Sequence, residues 1–146
     1  MDEFPVCDFA IEVRDSPIEG NGLFARVKLP KWTCAMEYKG TIVPWEEREE
    51  EAGEKTVLFE VDEDFVIDPR INGNEALYVN HSCDPNCETW QEEKRVYIFT
   101  RKKIKAGEEL TIDYGLSLGR KPTKKDRKAY ACHCATKNCR GTMLAF

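Results

Sequence analysis

Three of the seven cysteines in this 146-residue chain fall within eight residues near its C-terminal end, in Cys132-His133-Cys134-Ala135-Thr136-Lys137-Asn138-Cys139. A short loop with thiols at this spacing can wrap a small ion and present sulfur from several sides, as tetrahedral zinc requires. The odd number of cysteines argues against a framework of paired disulfides. The opening MDEFPVCDFA is acidic and lacks the basic and apolar regions of a secretory leader, so an intracellular chain with reduced thiols is expected. Free thiols or a redox pair are the competing reading, disfavoured because three clustered reactive thiols are prone to oxidation. Three ligands leave a closed structural site one short. His133 is nearest, but between two ligating neighbours it is expected to point away. Cys83 and Cys87, in Asn80-His81-Ser82-Cys83-Asp84-Pro85-Asn86-Cys87, are the other candidates. Cys7 and Cys34 lie in strand-like surroundings and read as buried thiols. A remote fourth ligand would fasten the tail to the domain centre and couple its folding to the metal.

The remainder of the chain reads as many short strands. Phe9, Ile11 and Val13 alternate before Ser16-Pro17 and Gly20-Asn21-Gly22; Thr33 to Tyr38 stops at Gly40; Val57, Phe59 and Val61 alternate; Val96 to Thr100 and Leu110 to Asp113 are further runs. Asp68-Pro69 and Asn72-Gly73 mark turns between them. Short apolar runs punctuated in this way predict a mainly β domain. One short acidic helix is expected where Pro44 suits a first helical position, Glu46, Glu47, Glu49 and Glu50 favour the N-terminal end, and Gly53 can stop it. The basic stretch from Leu116 to Lys128, with Gly119 and Pro122, reads as a connector or frayed helix. No apolar run approaches the roughly 20 residues that span a bilayer.

Charge is divided unequally. Residues 1–73 carry 8 basic and 18 acidic side chains; residues 74–146 carry 14 basic and 9 acidic, for a net charge of −5 overall. Most such groups are solvated surface, but an acidic half can also steer a basic peptide. Direct nucleic-acid binding is disfavoured because the chain lacks the basic footprint of a duplex binder.

Four segments, taken in order, resemble the SET-domain protein-lysine methyltransferases that carry a post-SET zinc segment. They are Ser16-Pro17-Ile18-Glu19-Gly20-Asn21-Gly22-Leu23-Phe24-Ala25; Glu37-Tyr38-Lys39-Gly40; Asn74 to Cys87 with its NHSCDPNC; and Gly107-Glu108-Glu109-Leu110-Thr111-Ile112-Asp113-Tyr114-Gly115 followed by CHCATKNCRG. The compact size is similar to the small stand-alone bacterial or viral members. The resemblance implies a SET fold (the β-clip) of small sheets over residues 9–116, in which the NHSC and ELTIDY segments form a pseudoknot. Residues 117–146 would then be a connector and post-SET zinc segment.

The same resemblance implies the chemistry. S-adenosylmethionine would lie on one face and a lysine-bearing basic protein, histone-like or other, on the opposite face, joined by a channel for the lysine. Gly20, Asn21 and Gly22 would approach the cofactor with backbone groups, Asn80 with its side chain, His81 mainly with its backbone, and Leu144 by packing. Tyr114 would be the catalytic tyrosine, with Tyr38 lining the channel and offering a second hydroxyl. One structural zinc would be held by Cys83, Cys132, Cys134 and Cys139, leaving Cys87 as a packed thiol. Ile112 stands where an aromatic residue sets the number of methyl groups that fit; without a hydroxyl there, multiple methylation is implied. Leu77 and Val57 replace an arginine and an aromatic that often serve the cofactor, which sustains one alternative: a catalytically weak, zinc-stabilised module binding basic peptides. The compartment would be cytoplasmic for a bacterial chain or nuclear for a histone substrate.

Overall fold

The computed structural model describes residues 11–48, 58–115 and 121–144. Ten short strands make three small sheets. The first sheet contains β1 (Ile11–Asp15), β2 (Asn21–Ala25), β10 (Glu109–Ile112) and β7 (Asn80–His81), in that spatial order. The second orders β3 (Cys34–Tyr38), β9 (Arg95–Thr100) and β8 (Cys87–Glu92); the third orders β4 (Thr41–Pro44), β6 (Phe65–Asp68) and β5 (Phe59–Glu60).

Local chemistry explains the elements. The β1–β2 hairpin pairs Ile11 with Ala25 through to Asp15 with Asn21. Its turn is closed by the Ser16 N–H on Gly20 O at 2.7 Å, with Gly20 at φ +46°, a conformation that glycine adopts without steric cost. Leu23 of β2 faces Leu110 of β10 across an antiparallel pairing, and both are wholly buried. With Leu29, Ile98 and Ile104 they belong to a core cluster reached by side chains from all three sheets, Ile67 of β6 coming from the third. Burial of each such side chain contributes about 2 kcal/mol.

Pro44 does not open a helix. It ends β4 opposite Phe65, and only a three-residue 3-10 turn, Trp45–Glu47, follows before Arg48 returns to extended backbone. The proline's φ of −57° serves an extended chain as readily as a helix, and pairing with β6 decides between them. The expected continuation to Gly53 and the position of Val57 lie outside the described residues. The one described α-helix is α1, Lys124–Ala129, in the basic connector. A reciprocal capping box starts it, Thr123 accepting from the Asp126 N–H and Asp126 accepting from the Thr123 N–H. Arg127 and Lys128 occupy its last turn, where cations favour the helix end.

Cys34 also departs from expectation. It is buried in β3 but is disulfide-bonded rather than a free thiol; an odd cysteine count excludes only complete pairing. Cys7 lies outside the described residues.

Candidate active site

The site is built around a parallel pairing between segments some thirty residues apart. Asn80 lies opposite Thr111, His81 opposite Ile112, and the Ser82 N–H donates to Ile112 O at 2.9 Å. The loop that follows returns to the same strand. Asn86 donates its amide to Glu109 O at 2.8 Å and accepts from the Thr111 N–H at 2.9 Å. One asparagine side chain thus satisfies two backbone groups of β10. The NHSCDPNC and ELTIDY segments are thereby laid together, the juxtaposition the pseudoknot demands.

Asn80 ties this pair to the hairpin turn. Its side-chain nitrogen donates to Glu19 O at 3.0 Å, to Asn21 O at 3.2 Å and to Glu109 Oε2 at 2.9 Å. The expected cofactor contact through this side chain therefore meets an amide nitrogen already engaged in shaping the turn. Glu109 in turn accepts from the Ser16 hydroxyl at 2.7 and 2.9 Å.

His81 and Tyr114 are joined directly. The Tyr114 N–H donates to His81 Nδ1 at 3.0 Å, and the rings meet edge to face with centroids 5.3 Å apart. Burial, the largest influence, pushes the imidazole down to about 4; Arg140 acts in the same sense and Asp113 opposes it. The ring is neutral at physiological pH, with Nδ1 an acceptor and the proton on Nε2, which lies 3.5 Å from Cys83 Sγ. The Tyr114 hydroxyl donates to Val79 O at 2.5 Å. Ile112 and Tyr38 are buried members of the core cluster, and Tyr114 packs against that cluster. The Tyr38 ring lies 5.7 Å from that of Phe59. Leu77 is half-buried in the 3-10 turn Glu75–Tyr78, whose Asn74 cap donates to Glu37 O at 2.9 Å, next to Tyr38. Leu144 is wholly buried, so the surface it was expected to offer a ligand is already covered by protein.

Below this pair lies a sulfur cluster. The Sγ atoms of Cys83, Cys132, Cys134 and Cys139 all lie within 4.8 Å of one another, with Cys83 and Cys132 at 3.7 Å. Zinc–sulfur bonds of about 2.3 Å in a tetrahedron put sulfurs just under 4 Å apart, so the four fit one ion without an open position. Backbone N–H groups of Arg140, Cys134 and Gly141 point at the sulfurs of Cys83, Cys132 and Cys139, at 3.2, 3.4 and 3.4 Å. Such donors stabilise thiolates. His133 is exposed and outside the cluster. Cys87 is buried in β8, and burial pushes its thiol up to about 12, so it stays neutral.

Three residues at the site went without a role in the reading of the sequence: Glu109, Asn86 and Arg140. All lie within or beside the recognised motifs, which was the available signal; their partners are remote in sequence and only the folded chain supplies them.

Comparison with known proteins places these features. The SET-domain family model matches residues 20–115. Human histone-lysine N-methyltransferase 2D is 38% identical over 138 residues, covering 88% of this chain and 2% of its own length. The H3 lysine-4 specific histone-lysine N-methyltransferase of Mycosarcoma maydis is 38% identical over 136 residues, covering 86% of this chain and 9% of its own. The structure of KRYPTONITE in complex with mCHH DNA, H3(1-15) peptide and SAH superimposes with a TM-score of 0.77 at 30% identity, covering 94% of this chain and 30% of that one. The chain thus spans only a small part of these curated relatives.

Proposed function

Because the chain belongs to the SET-domain family, we propose that it is a protein-lysine N-methyltransferase, carrying a methyl group from S-adenosylmethionine to the ε-amine of a lysine in a basic protein. The observation that supports this most directly is the hydrogen-bonded continuity of the turn at Gly20–Gly22, Asn80, His81 and Tyr114. The residues assigned to cofactor and to catalysis form one connected unit.

The donor set suits such a ligand. A Cβ added at Gly20 would meet nothing within 4 Å, so the turn presents open backbone on that side, and Asn21 is exposed beside it. When bound, S-adenosylmethionine supplies an electrophilic methyl on a positively charged sulfur. The chain's own residues must deliver an uncharged amine. Lysine in water has a pKa near ~10.4, and apolar surroundings such as Tyr38, Ile112 and Tyr114 provide would lower it by desolvation. With its proton committed to Val79 O, the Tyr114 phenol offers lone pairs. It can accept an N–H from the amine and so leave the amine's own lone pair free to attack. Alignment of this kind accounts for much of the rate gain in such displacements. His81 is not the base, since Nδ1 is occupied by the Tyr114 N–H and Nε2 faces Cys83. The four-thiolate zinc would be structural, holding the tail against the loop that carries His81.

Incubation with labelled S-adenosylmethionine and histones or other basic proteins tests the proposal. Label should appear on lysine and should be lost with Tyr114→Phe. Absence of transfer to every protein tried, with no measurable cofactor binding by calorimetry, would sink it.

A further inference from the structure

Gly22 explains a carboxylate, and the carboxylate explains Gly22. Gly22 lies in β2 opposite Arg14 of β1, in a backbone conformation open to any residue. Its lack of a side chain is nevertheless required. A Cβ there would overlap the Glu109 carboxylate, with Cδ 2.9 Å away, and would crowd Asn80 Nδ2 at 3.1 Å. What fills the space above Gly22 is therefore Glu109. That carboxylate receives the Ser16 hydroxyl at 2.7 and 2.9 Å and the Asn80 amide at 2.9 Å. Ser16 begins the turn, accepting the Ile18 N–H at 3.0 Å and donating its own N–H to Gly20 O. Asn80 holds the far side of the turn through Glu19 O and Asn21 O. Both holds on the turn converge on one side chain.

We propose that Glu109 is the positioning residue for the cofactor-facing turn, and that position 22 is glycine to admit the Glu109 carboxylate rather than the ligand. This rests on the methyltransferase reading above. Glu109 does not touch the reacting atoms; it sets the Ser16–Gly22 backbone through two intermediaries. Its loss should thus appear in cofactor affinity and leave the chemical step intact.

Glu109→Ala removes the acceptor shared by the Ser16 hydroxyl and the Asn80 amide, which Glu109→Gln would largely keep by turning its carbonyl to Asn80 and its amide to Ser16. The expected result of Glu109→Ala is a rise of about tenfold or more in KM for S-adenosylmethionine, matched by calorimetry with S-adenosylhomocysteine. kcat and the KM for the lysine substrate should stay within about twofold. Ser16→Ala, a gentler change to the same network, should give a smaller rise of the same kind. A fall in kcat with unchanged cofactor affinity would overturn the proposal. The Gly22 claim is read separately, by placing Gly22→Ala in the wild type and in Glu109→Ala. The alanine should lower the melting temperature and cofactor affinity of the wild type and add little where the carboxylate is gone. Equal penalties in both backgrounds would show that the ligand, not Glu109, demands the glycine, and would overturn this half. Should the wild type neither bind cofactor nor transfer methyl, the enzymatic reading falls. The melting cycle still decides whether Glu109 and Gly22 are coupled.

Discussion

Arg140 grips Asp113 with both arms of its guanidinium, Nη1 to Oδ2 at 2.8 Å and Nη2 to Oδ1 at 3.1 Å, while its backbone N–H donates to Cys83 Sγ. One residue of the cysteine tail therefore engages both the sulfur cluster and the segment that ends in Tyr114. Burial alone would raise the Asp113 carboxyl, but hydrogen bonds from Arg140 and from the Gly115 N–H outweigh it and hold the carboxyl below its ordinary range. A depressed carboxylate contributes stability that is complete above the ordinary value near ~4 and is lost as pH falls through the lower, folded value. The melting temperature of the wild type should fall on acidification across that window more steeply than that of Asp113→Asn. Because the pair is partly exposed, Arg140→Gln should cost only about 1 kcal/mol at neutral pH. Parallel acid profiles for wild type and Asp113→Asn would refute the assignment.

The sulfur cluster makes a second prediction. Native mass spectrometry should find one zinc per chain, retained in Cys87→Ser and lost in Cys83→Ser. Stripping the ion with a chelator should lower the melting temperature, since binding and tail folding are linked. Loss of zinc from Cys87→Ser with retention in Cys83→Ser would reverse the ligand assignment.

Removal of the Tyr114 hydroxyl separates stability from catalysis. Tyr114→Phe forfeits one hydrogen bond to Val79 O, worth about 1 kcal/mol, and some further cost for the carbonyl left behind. Methyl transfer should drop by about a hundredfold or more while cofactor binding measured by calorimetry holds, the pattern of an interaction made at the transition state. A variant as active as the wild type removes Tyr114 from the chemistry.

Asn86 offers a test of the architecture. Asn86→Ala leaves Glu109 O and the Thr111 N–H without their side-chain partner. The expected loss is about 2 kcal/mol in urea unfolding with an unchanged slope. A loss below about 0.5 kcal/mol would mean that water or neighbouring chain replaces the asparagine.

Much of this was legible before any coordinates. Alternating apolar residues marked β1, a continuous apolar run marked β9, and the spacing of Cys132, Cys134 and Cys139 marked the sulfur cluster. What stayed hidden had physical causes. β8 reads Cys87-Glu88-Thr89-Trp90-Gln91-Glu92, a polar edge strand whose only deeply buried residue is Cys87, so no apolar run announces it. β7 is two residues long, and Asn80 and His81 belong to a strand only because β10 lies beside them. Pro44 carries a φ shared by helix and strand, so tertiary pairing decided its fate. Glu109, Asn86 and Arg140 stood in plain view inside motifs, but a polar side chain declares its role only through its partner.

β10 lies between β2, with residues 21–25, and β7, with residues 80–81. Its two neighbours thus come from opposite thirds of the chain preceding it, and each pairing closes a long loop before any contact compensates for the lost entropy. Synthesis supplies β10 after both of its neighbours, so the pairings that join them form only once residues 109–112 have been made. A fragment that ends upstream of residue 109 therefore lacks the strand that joins the hairpin to β7.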